Sequence, residues 1–234
     1  MGNRSFAIVL VAGLALAARG CSSGAEGEGE GDEGPTGDVK AANIDLSVCA
    51  PDHGPFSVTI DNPFLPYAVG AVSVLEGKEG GTDPVKVQFT VLDQTQGVVG
   101  VTTRVIEEKV WEKGAYAGTQ KHYVAQASDG TVCIFGVEGA GTEEEWMAGA
   151  AGAVPAILMP ANPKVGMVFD TVHAPPVVTA VEVSAIGQTR TVPAGTYTDT
   201  VTLLGDEGGP TLKVYARGVG LVYDDGVELI STGK

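Results

Sequence analysis

The feature that most constrains this chain is a recurring two-residue alternation of apolar and polar side chains. Val85, Val87, Phe89 and Val91 share one side of the backbone while Lys86, Gln88 and Thr90 share the other. A period of two is the repeat of a β-strand with one buried face, because successive side chains point to opposite sides. The same pattern returns at Val177, Thr179, Val181, Val183 and Ala185, and at Leu212, Val214 and Ala216 opposite Lys213, Tyr215 and Arg217. One wet and one dry face suits antiparallel strands.

Turn chemistry agrees. Asp129-Gly130 and Asp225-Gly226 each separate two strand-like runs, and Asp-Gly supplies the positive φ angles of a two-residue hairpin. Gly80-Gly81, Gly208-Gly209-Pro210 and Pro193-Ala194-Gly195 mark further reversals. Ten or so strands are expected, with no βαβ alternation. Thr142-Glu143-Glu144-Glu145 departs from the pattern and reads as a capping box opening a short helix, which Gly149 and Gly152 weaken and Pro155 ends. The expected fold is all-β and mainly antiparallel, a curved sheet, half-barrel or sandwich, with one short helix in a 139–166 crossover that lies across a face or mouth of the sheet.

The N-terminus carries an address. Arg4 precedes an apolar run of 13 residues, Phe6 to Ala18, shorter than the about 20 residues a spanning helix needs. It reads as a signal peptide over residues 1–20. Ala18-Arg19-Gly20-Cys21 looks like a bacterial lipobox, in which cleavage precedes a cysteine that then carries lipid; Arg19 and Ala18 depart from its usual residues. Ala15-Leu16-Ala17 is a competing A-x-A site for ordinary cleavage and secretion. Cysteine parity favours the lipoprotein, since lipidating Cys21 leaves Cys49 and Cys133 as a pair, whereas ordinary cleavage leaves an odd thiol. Ser22 stands where Asp marks inner-membrane retention in lipoproteins of this kind, so a two-membrane cell would send the chain to its outer membrane.

Residues 21–39 form an acidic Gly/Glu linker with six acids and no basic residue. Such a stretch self-repels and buries little, which suits a tether between lipid and domain. Removing these six acids and the two signal-segment arginines from a net charge of −15 leaves −11 for residues 40–234. That charge excludes a nucleic-acid reader held by phosphate neutralisation. The 195 residues of that segment fit a single β domain.

Asp61-Asn62-Pro63-Phe64-Leu65-Pro66, His122-Tyr123-Val124-Ala125-Gln126 with Asp129-Gly130, Phe135-Gly136, Met159-Pro160-Ala161-Asn162-Pro163-Lys164-Val165-Gly166, Thr191-Val192-Pro193-Ala194-Gly195-Thr196-Tyr197 and Tyr215-Ala216-Arg217-Gly218-Val219-Gly220-Leu221-Val222 occur in this order. Together they resemble a family of exported bacterial proteins of unknown function. The resemblance implies an antiparallel β fold, a curved half-barrel similar to periplasmic lipoprotein carriers, and no enzyme activity. This chain departs from the pattern at Val69, where relatives carry Pro, and at Cys133, where they carry an aromatic. The second departure supports a disulfide particular to this chain. Most of the matching residues are Pro and Gly that fix strand entries and reversals, so they specify shape.

No catalytic constellation emerges. Cys49-Ala50-Pro51-Asp52-His53 gathers three ligand types, but no second cluster at zinc spacing accompanies it, so a Cys49–Cys133 disulfide and an exposed turn at Asp52-His53 are the better reading. No G-x-S-x-G occurs. His122 reads as a strand-face residue, and His173-Ala174-Pro175-Pro176 as a rigid loop entry. Glu107-Glu108 and Asp224-Asp225 are adjacent in sequence, so each pair splits between opposite faces and reads as solvated. No cofactor or metal is expected. Trp111, Tyr123, Phe135 and Trp146 would line an apolar cavity if the sheet curls. Two functions follow: a cell-envelope lipoprotein binding a hydrophobic ligand or lipid, or a non-catalytic envelope module contacting another protein or the cell wall. A continuous uncovered apolar interior would favour the first, and a filled core with exposed tryptophans the second.

Overall fold

Alternating side chains, read through a computed structural model, become one sheet. It describes residues 42–79, 83–139, 145–206 and 210–234. The signal segment, Cys21, the linker, Gly80-Gly81, Thr142–Glu144 and Gly208-Gly209 lie outside the described residues.

Strands β1 (Ala42–Asn43), β2 (Phe56–Ser57) and β3 (Val72–Glu79) precede β4 (Asp83–Val98), β5 (Val101–Glu112), β6 (Ala115–Ala127) and β7 (Val132–Glu138). After β8 (Trp146–Met147) and β9 (Ala156–Met159) come β10 (Met167–Ala174), β11 (Val177–Val192), β12 (Gly195–Asp206), β13 (Pro210–Ala216), β14 (Gly220–Asp224) and β15 (Val227–Gly233). Spatial order is β1-β10-β11-β12-β13-β14-β15-β3-β4-β5-β6-β7-β8, with β9 also on β7 and β2 on β6. Every pairing is antiparallel except β1 with β10. Beyond β9, the Val154 N–H donates to the His173 carbonyl on β10 at 2.9 Å. The sheet thus rolls almost into a closed barrel, which shields edge strands. Of the expected shapes, the curved sheet is the one adopted.

Cross-strand register defines the inward face. Leu229, Leu75, Val87 and Val110 form one row across β15, β3, β4 and β5, all buried. Opposite them, Val181, Val183 and Leu203 on β11 and β12 and Phe169 on β10 complete the apolar wall. On β13 burial does not alternate, since Lys213, Val214, Tyr215 and Ala216 are all buried, and the Lys213–Tyr215 side shares the inward row with Leu203. Lys213 pairs with Leu203 on one neighbour and with Asp224 on the other.

Hairpins show where local chemistry sufficed. Asp225-Gly226 forms the expected two-residue loop, with φ of +41° and +100° and Asp224 paired to Val227. At Asp129-Gly130 the loop has three residues, closed by the Ala127 N–H to the Thr131 carbonyl, with Gly130 at φ +97°. The Asp129 carboxylate accepts from the Thr131 N–H at 2.8 Å and so pulls the turn one residue wider. Val99-Gly100 also makes a two-residue turn, placing a β-branched residue at φ +43°.

The expected helix does not form in the described residues after Thr142–Glu144. Trp146 and Met147 extend along β7 instead, and Gly149, Ala151 and Gly152 all take positive φ, which a right-handed helix excludes. Gly136 makes room for this strand: a Cβ there would lie 2.6 Å from the Met147 sulfur. The one helical turn among the described residues is a 3-10 turn at Leu46–Cys49, opened by Asp45, whose carboxylate accepts the Ser47 N–H. The 139–166 crossover supplies a stave at the seam through β9, not a lid over the mouth.

Cys49 and Cys133 are joined in a disulfide that ties the 3-10 turn to β7. Asp52 and His53 lie in an exposed turn beside it.

Candidate functional site

The site begins with a loop. Residues 61–68 cross one mouth of the barrel, pinned by Asn62, which is buried. Its amide donates to the carbonyls of Gly130 and Pro160 at 3.0 and 3.1 Å, and its oxygen accepts the Phe64 N–H. The Gln126 side chain accepts the N–H groups of Asp61 and Asn62, and the Gly218 N–H donates to the Pro63 carbonyl. Residues from four of the six sequence blocks therefore meet around this one loop. Their role there is to hold it.

Beneath the loop is a pocket of about 220 Å³, lined by Leu65, Tyr67, Ser73, Phe89, Val91 and Leu221 among others, with no charged side chain in its wall.

Next to the pocket the wall changes character. The row Thr232–Ser73–Phe89 on β15, β3 and β4 continues to Glu108 on β5 and Gln120 on β6. Val91 continues likewise to Ile106 and His122. Directly opposed residues hold their Cβ atoms about 5 Å apart, so Phe89 borders both the pocket and Glu108. Glu108 is wholly buried and His122 is 2% exposed. His122 Nε2 lies 2.7 Å from Glu108 Oε2. A second buried pair, Lys213 with both oxygens of Asp224 at 3.1 and 3.4 Å, shares the interior.

Burial pushes the Glu108 carboxyl above the usual range, opposed by its hydrogen bond to His122; Asp224 raises it further and Lys213 lowers it. Asp224 is likewise raised by burial, with Lys213 opposing. Tyr67, which lines the pocket, is raised by burial and then by the nearby Tyr215 and Glu108. Three buried atoms of this patch, Glu108 Oε1, Gln120 Oε1 and His122 Nδ1, have no hydrogen-bond partner among the described residues. Such groups cost about 1–3 kcal/mol each.

This patch overturns the reading of Glu108 and Asp224 as solvated. Their sequence neighbours are the outward members: Glu107, by strand alternation, pairs with Lys109 at 2.7 Å, and Asp225 is exposed in the hairpin turn. What sequence reasoning missed was which member faces in. The signal was present in the period: Glu108 shares parity with Ile106 and Val110.

The four aromatic candidates do not come together. Trp111 lies at the far end of β5, edge-on to Tyr116 with centroids 6.0 Å apart, and with Lys86 5.3 Å above its ring. It lines an open groove of about 420 Å³ with Glu76, Pro84 and Lys86. Tyr123 is seven residues along β6 from Tyr116, about 23 Å at strand rise. It is buried and bonded through its hydroxyl to Glu138, and burial followed by that carboxylate pushes its pKa up to about 12. Phe135 is fully buried against the edge of Phe56 at 5.4 Å. Trp146 is half-buried on β8. None of the four lines the mouth pocket.

Among the described residues no group of three or more His, Cys, Asp or Glu side chains is placed to hold a metal ion. Compared with protein families and with curated proteins, the chain matches none. Among solved structures it is similar to a Bacteroides fragilis protein, taken to be exported and described as having a YmcC-like fold, at 14% identity and a TM-score of 0.39 over 73% of this chain and 99% of the other.

Proposed function

We propose that this chain is an exported envelope protein, anchored by lipid on Cys21, whose barrel binds a small hydrophobic molecule at its mouth without chemically changing it. The observation that carries the reading is the pocket under residues 61–68, mainly apolar, free of charged side chains and covered by a loop that the buried Asn62 pins. Its volume of about 220 Å³ lies between the about 150 Å³ of a cavity that takes benzene and the about 300 Å³ where drug-sized sites begin. It suits a small ring or the end of an alkyl chain, not a whole lipid. Export is supported by the signal-like N-terminus and by the Cys49–Cys133 disulfide, a bond suited to an oxidising compartment. In a two-membrane cell the anchor would sit in the outer membrane. The test is competition: filling the pocket with Ala71→Trp should abolish uptake of a small apolar fluorophore that the wild-type protein takes up, and equal uptake by both proteins would refute the assignment.

One observation favours the envelope-contact module. Tyr116 is 59% exposed beside Trp111 at the opposite end of β5, an aromatic pair of the type enriched at interfaces. If that is the working surface, Trp111→Ala with Tyr116→Ala should release a chain carrying Cys21→Ser from envelope fractions under conditions where Ala71→Trp does not.

A further inference from the structure

The acceptor patch beside the pocket defines the chemistry of what can reach it. With Glu108 as a carboxylate, its Oε2 takes the proton-bearing Nε2 of His122, and a neutral imidazole then leaves Nδ1 as a lone-pair acceptor. Glu108 Oε1 and Gln120 Oε1 are acceptors as well, and all three atoms are buried without partners. Glu108 and Gln120 face each other directly across β5 and β6, and His122 is two residues along the same face. The Lys213–Asp224 pair nearby is internally neutralised. With Glu108 ionised and that tautomer, the patch offers three acceptors and one net negative charge.

The complementary group is a compact cation with three donors. A metal ion is not favoured, because the ring nitrogen and the two oxygens are not joined by a third His, Cys, Asp or Glu ligand among the described residues. A primary ammonium carries three N–H donors on one atom. Both rows that build the patch begin in the pocket, through Phe89 and Val91, so an alkyl body would lie one strand from Glu108 and two from Gln120 and His122. We propose that Glu108, Gln120 and His122 receive the protonated amine of an amphiphile whose apolar part occupies the mouth pocket, an assignment that rests on that pocket being a ligand site.

The test uses three probes of one chain length, octylammonium, 1-octanol and octanoate, titrated calorimetrically into the mature chain carrying Cys21→Ser. Octylammonium should bind at least tenfold more tightly than octanol, with octanoate weakest. Glu108→Gln should bring octylammonium to within about twofold of octanol while leaving octanol unchanged; general attraction of a cation to the acidic chain would survive that substitution. Should Glu108→Gln fail to fold, Gln120→Leu serves, with the ammonium preference expected to fall at least threefold. Octanol binding as tightly as octylammonium overturns the ammonium assignment and leaves the pocket standing. If none of the three binds, the pocket reading falls with it. An ammonium preference untouched by either substitution also overturns the assignment.

Discussion

Replacing both Cys49 and Cys133 with Ala should cost this domain a large share of its stability. The bond closes a loop across a sequence separation of 84 residues and joins two residues of zero exposure. Chain-entropy loss in the unfolded state scales with the logarithm of loop length, and a loop of this size corresponds to about 4.5 kcal/mol at 25 °C. With a urea dependence of about 2.5 kcal/mol per molar, the unfolding midpoint should fall by nearly 2 M. Urea titration followed by tryptophan fluorescence measures this, with the wild type under reducing and non-reducing conditions as a second comparison. Domains of ordinary size hold about 5–15 kcal/mol in total, so the variant should remain folded in buffer but marginally so. A midpoint unchanged within about 0.3 M, or alkylation of both thiols in non-reduced wild type, would refute the reasoning.

Two further outcomes follow from backbone and burial. Val99→Asn should stabilise the protein by about 0.5–1 kcal/mol, because Val99 holds φ +43° in a two-residue turn, a region where Asn is tolerated and a β-branched residue is strained; urea unfolding reads it, and a loss of stability would count against the turn. Glu108→Gln should alter the pH dependence of stability. Glu108 in the folded state holds its proton more tightly than in the unfolded chain, so between its ordinary carboxylate pKa and its raised folded value the native form binds the extra proton and wild-type stability falls as pH rises. The Gln variant lacks this term, so its stability relative to wild type should increase with pH across that window, and parallel profiles would contradict the burial of Glu108.

How much of this was legible in the sequence depends on how local the cause is. Alternation at Val85–Val91 and Val177–Ala185 identified inward faces directly, and parity of three cysteines with one at the signal boundary left Cys49 and Cys133 as partners. The Asp225-Gly226 turn followed from its dipeptide alone. Asp129-Gly130 did not, since the Asp129 carboxylate bonds Thr131 and resets the loop length. The capping box at Thr142–Glu145 points to a helix running toward Pro155, yet Gly136, on another strand, supplies the space in which Trp146 and Met147 join the sheet. On β13 the apolar parity marks Val214 and Ala216, which are buried, but it gives no sign that Lys213 and Tyr215 are buried too, because the charge of Lys213 is answered by Asp224, 11 residues on. Parity with Ile106 and Val110 marks Glu108 alone as inward, but the rest of the acceptor patch is not legible. Phe89, Glu108 and Gln120 become neighbours only through two strand registers, and no spacing in the sequence announces them.

The central claim is that the mouth of this barrel holds a small apolar ligand. Native mass spectrometry of the mature chain carrying Cys21→Ser, recovered from the bacterial envelope without detergent, tests it most directly. The account predicts a reproducible added mass that extracts into organic solvent and is absent from Ala71→Trp. A bare protein mass from wild type, under conditions that retain added octylammonium or octanol, or an added mass that persists in Ala71→Trp, would contradict it.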